Sequence, residues 1–129
     1  MFYKTVAGLE LNRYSRLALV NDSNILLGDL GSLMKKGKLL NVGFWGVLDS
    51  YEKPWFSKFE NNFHLQSHFL VWEKPVFNFL VMFLNQIPWN EILKEKKPIL
   101  ARRKVINVWE IGISQFFMAH QIPIGAVFD

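Results

Sequence analysis

Apolar residues occur along this chain in short runs separated by polar, turn-forming stretches. Compact apolar runs at residues 16–20, 42–48 and 67–72 are bounded by turn signals and predict three strands. A further apolar run at residues 124–128 predicts a closing strand. All four runs are short enough for strands of an ordinary sheet.

Helical spacing of apolar residues predicts the remaining regular elements. Residues 77–84 follow Pro75 and are apolar on most sides, which predicts a buried helix. A short surface helix ended by Pro98 is expected at residues 89–97, and a final helix at residues 107–120. Other segments are expected as a short helix at 2–11, a loop with a short helix at 25–34, a turn at 35–38 and a loop at 51–62. This alternation predicts an α/β fold with a mixed or mostly parallel sheet flanked by helices.

The composition predicts one folded domain over residues 1–129. Half of the residues are hydrophobic and 16% are aromatic, which excludes a disordered chain. The absence of cysteine excludes disulfides and thiolate metal sites and suits a cytoplasmic protein. We expect neither a signal peptide nor a membrane-spanning helix, because the most apolar segment, residues 76–84, is far shorter than the roughly 20 residues a span needs.

Asn21, Asp22 and Ser23 directly follow the first predicted strand. Hard divalent cations prefer carboxylate oxygens, so Asp22 is a candidate ligand for Mn²⁺ or Mg²⁺. The same residues also fit an Asx-type turn, in which Asn and Asp side chains bond to nearby backbone groups. The residues alone leave both interpretations open.

A second cluster of polar side chains lies just before and at the start of the third predicted strand, at His64, Gln66, Ser67 and His68. Alternation along a strand would direct Gln66 and His68 to one face and Ser67 to the other. His64 and His68 have the i, i+4 spacing of a helical metal pair, but no acidic motif accompanies them and the residues that follow favour a strand. Core polar residues bonded to backbone are the alternative to a binding role.

Glu110 begins the last predicted helix, and Ser114 follows one turn later. A carboxylate in a first helical turn is favoured by the helix dipole. Glu110 could equally act as a general base for an acceptor hydroxyl, with Ser114 on the same pocket wall.

A basic segment surrounds the apolar residues 98–101. It could contact an anionic membrane or a lipid-linked diphosphate, or it could be a solvated loop. The net charge of +4 favours anionic partners in general. Nucleic acid is not expected as a partner, because the aromatic residues fall within strand and helix patterns.

The three polar motifs, in this order and separation, resemble the rhamnan synthesis F family, glycosyltransferase-like proteins of bacterial cell-surface polysaccharide assembly. That family's typical sequences are close to His-Ile-Gln-Ser-Tyr-Phe at the second motif and Tyr-Glu-Ile-Gly-Leu-Ser-Gln at the third. The similarity extends over residues 14–129 and includes Phe44-Trp45-Gly46.

The resemblance implies a GT-A-like (Rossmann-like) fold that transfers a sugar from a nucleotide-sugar donor to a cell-surface polysaccharide, lipopolysaccharide or lipid-linked glycan acceptor. It implies a metal-binding role for Asp22 and a catalytic role for Glu110. Substrate-binding roles are implied for Asn21, Ser23, His64, Gln66, Ser67 and Ser114. Asn21 departs from the family pattern, because it replaces one of the usual aspartates.

Complete domains of this kind carry further β-α units before the first motif. The chain is therefore expected to be the C-terminal portion of such a domain, incomplete at its N-terminus, with a companion chain supplying the missing half. We expect a cytoplasmic location or a peripheral one at the inner face of the membrane. The alternative function is a non-catalytic truncated remnant or a carbohydrate-binding module.

Overall fold

The computed structural model describes residues 2–23, 25 and 27–128. Its strands and helices largely follow the predicted alternation. Six α-helices are present in the described residues: α1 (Phe2–Ala7), α2 (Leu30–Leu39), α3 (Phe77–Gln86), α4 (Trp89–Lys94), α5 (Pro98–Val105) and α6 (Gly112–Ala119). The strands are β1 (Arg16–Val20), β2 (Phe44–Ser50), β3 (His64–Leu65), β4 (Phe69–Glu73) and β5 (Ile124–Phe128). The predictions of a strand at 16–20 and at 124–128 are confirmed.

The sheet is curled and mostly antiparallel, so the predicted GT-A-like (Rossmann-like) fold with a mixed or mostly parallel sheet is wrong. Strand β4 lies between β1 and β2 and runs antiparallel to both, and β3 is also antiparallel to β2. Among the described strands, only β5 runs parallel to its partner, β2. The reason lies in residues 51–63, which connect β2 to β3 without a helix. Neighbouring parallel strands need a long crossover, whereas a strand that returns directly is antiparallel.

Alternating side chains of β2 pack into two apolar layers, one on each face of the sheet. Phe44 stacks on Trp72 of β4 with ring centroids 5.1 Å apart, and Phe117 of α6 lies 4.8 Å from Phe44. Trp45 points to the opposite face, where α2 covers it, because successive residues of a strand face opposite ways. Both faces of the sheet are therefore covered by helices.

Helix α2 runs through the lysine-rich residues 35–38, which were predicted to be a turn. Asp29 caps its N-terminus by accepting hydrogen bonds from the backbone N–H groups of Gly31 and Ser32. The hydrogen bond from the Ser32 N–H holds the pKa of Asp29 below its ordinary value. The stabilisation that this cap gives to the folded state is therefore complete above the ordinary carboxyl pKa, and it is lost as the pH falls through the lowered pKa of Asp29. Gly37 continues the helix because it lets the backbone lie directly on Trp45.

A single continuous helix spans residues 98–119. It consists of α5, a π-helical segment over Ile106–Ile111 and α6. Pro98 occupies the first turn of α5, so it begins this helix, although it was predicted to end the preceding one. Within the described residues, no helix combines the length and the apolar character that crossing a membrane requires.

Candidate functional site

The strand directions bring the first two polar motifs to the same edge of the sheet. Strands β1 and β2 both run antiparallel to β4, so their C-terminal ends lie beside the start of β4. The backbone N–H of Asn21, just after β1, donates to the carbonyl oxygen of His68, just before β4, at 2.9 Å. A site that uses both motifs would therefore lie at this edge of the sheet.

A β-bulge lies at this edge. Gly46 of β2 is opposite Leu70, but Asp49 is opposite Leu65. Between these two pairs β2 contributes residues 47–48 while its partner contributes residues 66–69, so the partner contains two extra residues. Bulges bend a strand and redirect its side chains, and they are frequent next to active sites.

The bulge breaks the alternation that the sequence predicted. Gln66 and His68 were expected on one face, but Gln66 lines a polar cleft with Glu110, whereas His68 lines a separate apolar pocket. Ser67 donates its hydroxyl to Oε1 of Glu110 at 3.2 Å. Because of the bulge, Gln66 and Ser67 both approach the surroundings of Glu110.

Glu110 lies in the π-helical segment of the long helix. A wide turn of this kind inserts extra backbone into a helix and is frequent at functional sites. Gly112 accommodates it, because a Cβ there would lie only 2.7 Å from the backbone oxygen of Asn107. Two backbone irregularities, one in the sheet and one in the helix, thus meet at the Ser67–Glu110 hydrogen bond.

The cleft beside this hydrogen bond has a volume of about 300 Å³, near the lower limit for ligand pockets. Its polar lining consists of Ser50, Glu52, His64, Gln66, Arg102 and Glu110. Nδ1 of His64 lies 2.7 Å from the backbone oxygen of Asn62, and an imidazole nitrogen must carry a proton to bond to a carbonyl oxygen. Gln66 Nε2 donates to the backbone oxygen of Asp49 at 3.4 Å. The cleft thus combines carboxylates, an amide, an imidazole and a guanidinium, groups able to bind hydroxyl-rich and anionic ligands.

Ser114 occupies a different place from the one predicted for it. Its side chain is fully buried, and its hydroxyl accepts a hydrogen bond from the backbone N–H of Leu65 at 3.0 Å. The next residue, Gln115, donates from Nε2 to the backbone oxygen of Phe63 at 2.8 Å. These contacts hold β3 against the long helix, and Ser114 does not line the cleft.

The sequence did not indicate Glu52 or Asn107, and it indicated Arg102 only as part of the basic segment around residues 98–101. Asn107 is buried and holds the 51–63 loop against the helix: its Oδ1 accepts from the N–H of Lys58, and its Nδ2 donates to the backbone oxygen of Phe56. A buried amide within an apolar helical stretch was the signal that could have identified Asn107. Arg102 lies in a run of basic residues, where nothing in the sequence distinguishes it from its neighbours.

The first motif forms the Asx-type turn that was left open as an alternative. Oδ1 of Asn21 accepts hydrogen bonds from the N–H of Ser23 at 2.8 Å and from its hydroxyl at 2.7 Å. Asp22 and Ser23 are exposed, and neither lines the polar cleft. Over residues 2–23, 25 and 27–128, no group of three His, Asp or Glu side chains is placed to hold a metal ion. A Mn²⁺ or Mg²⁺ requirement stays a prediction.

A more voluminous cavity, about 780 Å³, lies along another side of the long helix and contains none of the predicted site residues. Its walls include the apolar side chains of Phe59, Phe83, Leu100, Val108 and Phe116. We place the candidate site in the smaller cleft, because convergent polar groups, and not volume, orient a reacting molecule.

Comparison with protein-family models, with curated proteins and with solved structures finds no match. The assignment of the candidate site therefore rests on its residues and their geometry.

Proposed function

We propose that this chain takes part in glycosyl transfer, with the polar cleft binding a nucleotide-activated sugar and Glu110 acting as the general base toward the acceptor hydroxyl. The observation that carries the proposal is the hydrogen bond between Ser67 and Glu110, formed where the β-bulge meets the π-helical segment. The resemblance to the rhamnan synthesis F family, in which Gln66, Ser67 and Glu110 belong to shared motifs, supports the same assignment.

The position of the Glu110 carboxylate supports the proposed general-base role. Ser67 fixes Oε1, while Oε2 has no hydrogen-bond partner in the described part of the chain and can accept a proton. As the acceptor oxygen bonds to the anomeric carbon, its proton passes to Glu110. The bond from that carbon to the diphosphate oxygen breaks, and the diphosphate leaves with the electron pair.

Arg102 is the residue in the cleft best suited to the leaving group. A guanidinium is always charged and binds phosphate oxygens through two parallel hydrogen bonds. Stabilising negative charge as it develops on the diphosphate lowers the barrier of the transfer. His64 and Gln66 line the same cleft and would bind sugar hydroxyls.

A carbohydrate-binding module without catalysis is the second candidate. It is favoured by Tyr51, an exposed aromatic residue next in sequence to the cleft-lining Ser50 and Glu52, although its own ring packs against Phe63 and is not part of the lining. Exposed aromatic rings bind the apolar faces of sugars without chemistry. In this case Glu110 would bind a hydroxyl and would transfer no proton.

Calorimetry and turnover assays test the two candidates together. Uridine, thymidine and guanosine diphosphate sugars, with and without manganese, and short glycans would be titrated into the wild-type chain. Glu110→Gln should retain donor binding and lose turnover by about 10²- to 10⁴-fold, the usual contribution of a general base. Glu60→Gln, at an exposed position outside the cleft, is the matched control.

The outcomes separate the candidates. Glycan binding without donor binding or turnover would support the module, and the absence of both kinds of binding would reject the cleft as a sugar site. If manganese strengthens donor binding and Asp22→Ala abolishes that gain, Asp22 is the metal ligand. An unchanged manganese effect in Asp22→Ala would remove this role.

A further inference from the structure

The excess positive charge of this chain lies in one short segment. Residues 93–104 contain six basic side chains and a single acidic one, Glu95, which gives the segment a net charge of +5. The whole chain has a net charge of +4, so all other residues together sum to −1. The positive charge of the chain is therefore concentrated in this segment and is not spread over its whole surface.

The structure leaves most of this charge accessible. Glu95 forms an ion pair with Lys104 at 3.0 Å, and the hydrogen bond from Lys104 holds the pKa of Glu95 below its ordinary value. Lys96, Lys97 and Arg102 are exposed, and none of them forms an ion pair with another described residue. The only acidic group in the segment is thus already neutralised within it.

Large apolar side chains are exposed beside these cations. Leu93 of α4 is 79% exposed and Ile99 of α5 is 66% exposed. Ile99 precedes Arg103 by one helical turn, so the two share a face of α5. The guanidinium of Arg103 lies 4.4 Å from the ring of Trp55, which is 80% exposed. We call residues 93–104 together with Trp55 the α4–α5 patch.

We propose that the α4–α5 patch docks onto the anionic surface of a lipid bilayer. Segments that lie in a membrane interface combine Lys and Arg with exposed aliphatic residues and Trp, and this patch has that composition. Anionic headgroups complement its charge, while Leu93, Ile99 and Trp55 reach the acyl boundary. A nucleic acid would account for the cations but not for the exposed aliphatic residues. The proposal does not depend on the proposed function.

Vesicle sedimentation tests the charge component of this docking. The wild-type chain should bind vesicles that contain phosphatidylglycerol, should not bind pure phosphatidylcholine vesicles, and should dissociate as salt is added. The double variant Lys96→Gln/Lys97→Gln should bind anionic vesicles roughly 30-fold more weakly, about fivefold for each lysine near an anionic surface. The matched control Lys35→Gln/Lys38→Gln removes the same charge from α2 and should change binding by less than about twofold.

A second pair of variants tests the apolar component. Ile99→Ser should weaken binding to anionic vesicles several-fold, whereas Leu39→Ser, at an exposed position of α2, should not. Circular dichroism of each variant would verify the fold. The positions are exposed, so the substitutions should leave it intact.

Three results with vesicles would overturn the proposal: no binding to any vesicle, equal binding to neutral and anionic vesicles, or equal weakening by the control variants. A fourth is displacement of the chain from anionic vesicles by an oligonucleotide whose phosphate concentration is lower than that of the anionic lipid. The last result would assign the patch to nucleic acid.

Discussion

The two ends of strand β2 differ in the regularity of the surrounding backbone and in the interactions that stabilise it. At the first end, Phe44, Trp45 and Gly46 pair with β4 in unbroken register, and the side chains of this region are fully buried and apolar. At the second end, past Gly46, the pairing contains a bulge and the neighbouring helix contains a π-helical segment. The first end is a regular packed core, and the second is an irregular edge.

Specific hydrogen bonds hold the irregular end of β2 in place against the long helix. Hydrogen bonds join Leu65 to Ser114, Phe63 to Gln115 and Ser67 to Glu110, so that every one of them crosses between the β3 region and the long helix. Strained or irregular backbone persists only where the surrounding structure determines it. Packing at one end of β2 therefore supplies the stability that allows polar groups at the other end to be held in place.

The largest expected effect is at the regular end. Phe44→Ala should lower the free energy of unfolding by about 3–5 kcal/mol, because it removes a fully buried ring that contacts Trp72 and Phe117 and leaves a cavity. Urea denaturation followed by circular dichroism measures this loss. Leu48→Ala, at a partly exposed position of the same strand, should cost less than about 1 kcal/mol. Similar losses for both variants would contradict the division of β2 into two ends.

The next largest effect also concerns packing. Gly37→Ala would place a methyl group on the buried indole of Trp45, and overpacking of this kind costs about 1–3 kcal/mol. Alanine gains about 1 kcal/mol of helix propensity, but the clash should prevail because the fully buried ring cannot move aside. Gly28→Ala, where no atom lies within 4 Å of the added group, is the control for thermal denaturation. A Gly37→Ala variant as stable as the wild type would show that the core is looser than described.

Local signals in the sequence predicted the elements of the regular end but not their arrangement. Periodic apolar residues indicated β1, β5 and the buried helix α3, since burial on one face imposes a period that can be seen in the sequence. Strand direction depends on which distant segments pair, and alternating elements suggested a parallel sheet. The insertion of β4 between β1 and β2 cannot be inferred from either strand alone.

The irregular end was less predictable for a physical reason. Residues 66–68 contain neither Gly nor Pro, so the bulge resembles an ordinary strand in the sequence. The sequence of the π-helical segment looks like that of an ordinary α-helix, and Gly112, directly after it, is the one residue that indicates an irregular turn. Gln66, Ser67 and Glu110 were named from the sequence and lie together. Asp22 and Ser23 lie outside the cleft, and Ser114 lies in the core.

A smaller and more local effect is expected at Asn107. Asn107→Ala should cost about 1–3 kcal/mol, because the backbone groups of Phe56 and Lys58 lose their buried partner. Hydrogen exchange should accelerate in residues 51–63 while the β2–β4 pairing stays protected. Asn78→Ala, at an exposed position of α3, should leave exchange unchanged. Faster exchange across the whole sheet would mean that the two ends unfold as one unit.

The smallest effect on stability, and the sharpest test of the comparison, is expected for Ser67→Ala. Its hydroxyl forms one partly buried hydrogen bond, so its loss should cost only about 0.5–1.5 kcal/mol. If Glu110 acts as the general base, the loss of its positioning partner should lower kcat by up to about tenfold and leave KM nearly unchanged, because up to about 1.5 kcal/mol of this hydrogen bond would then be missing from the transition state. Ser15→Ala, at an exposed position, is the control. Equal kinetics for the two variants would mean that the Ser67–Glu110 hydrogen bond joins strand to helix without serving catalysis.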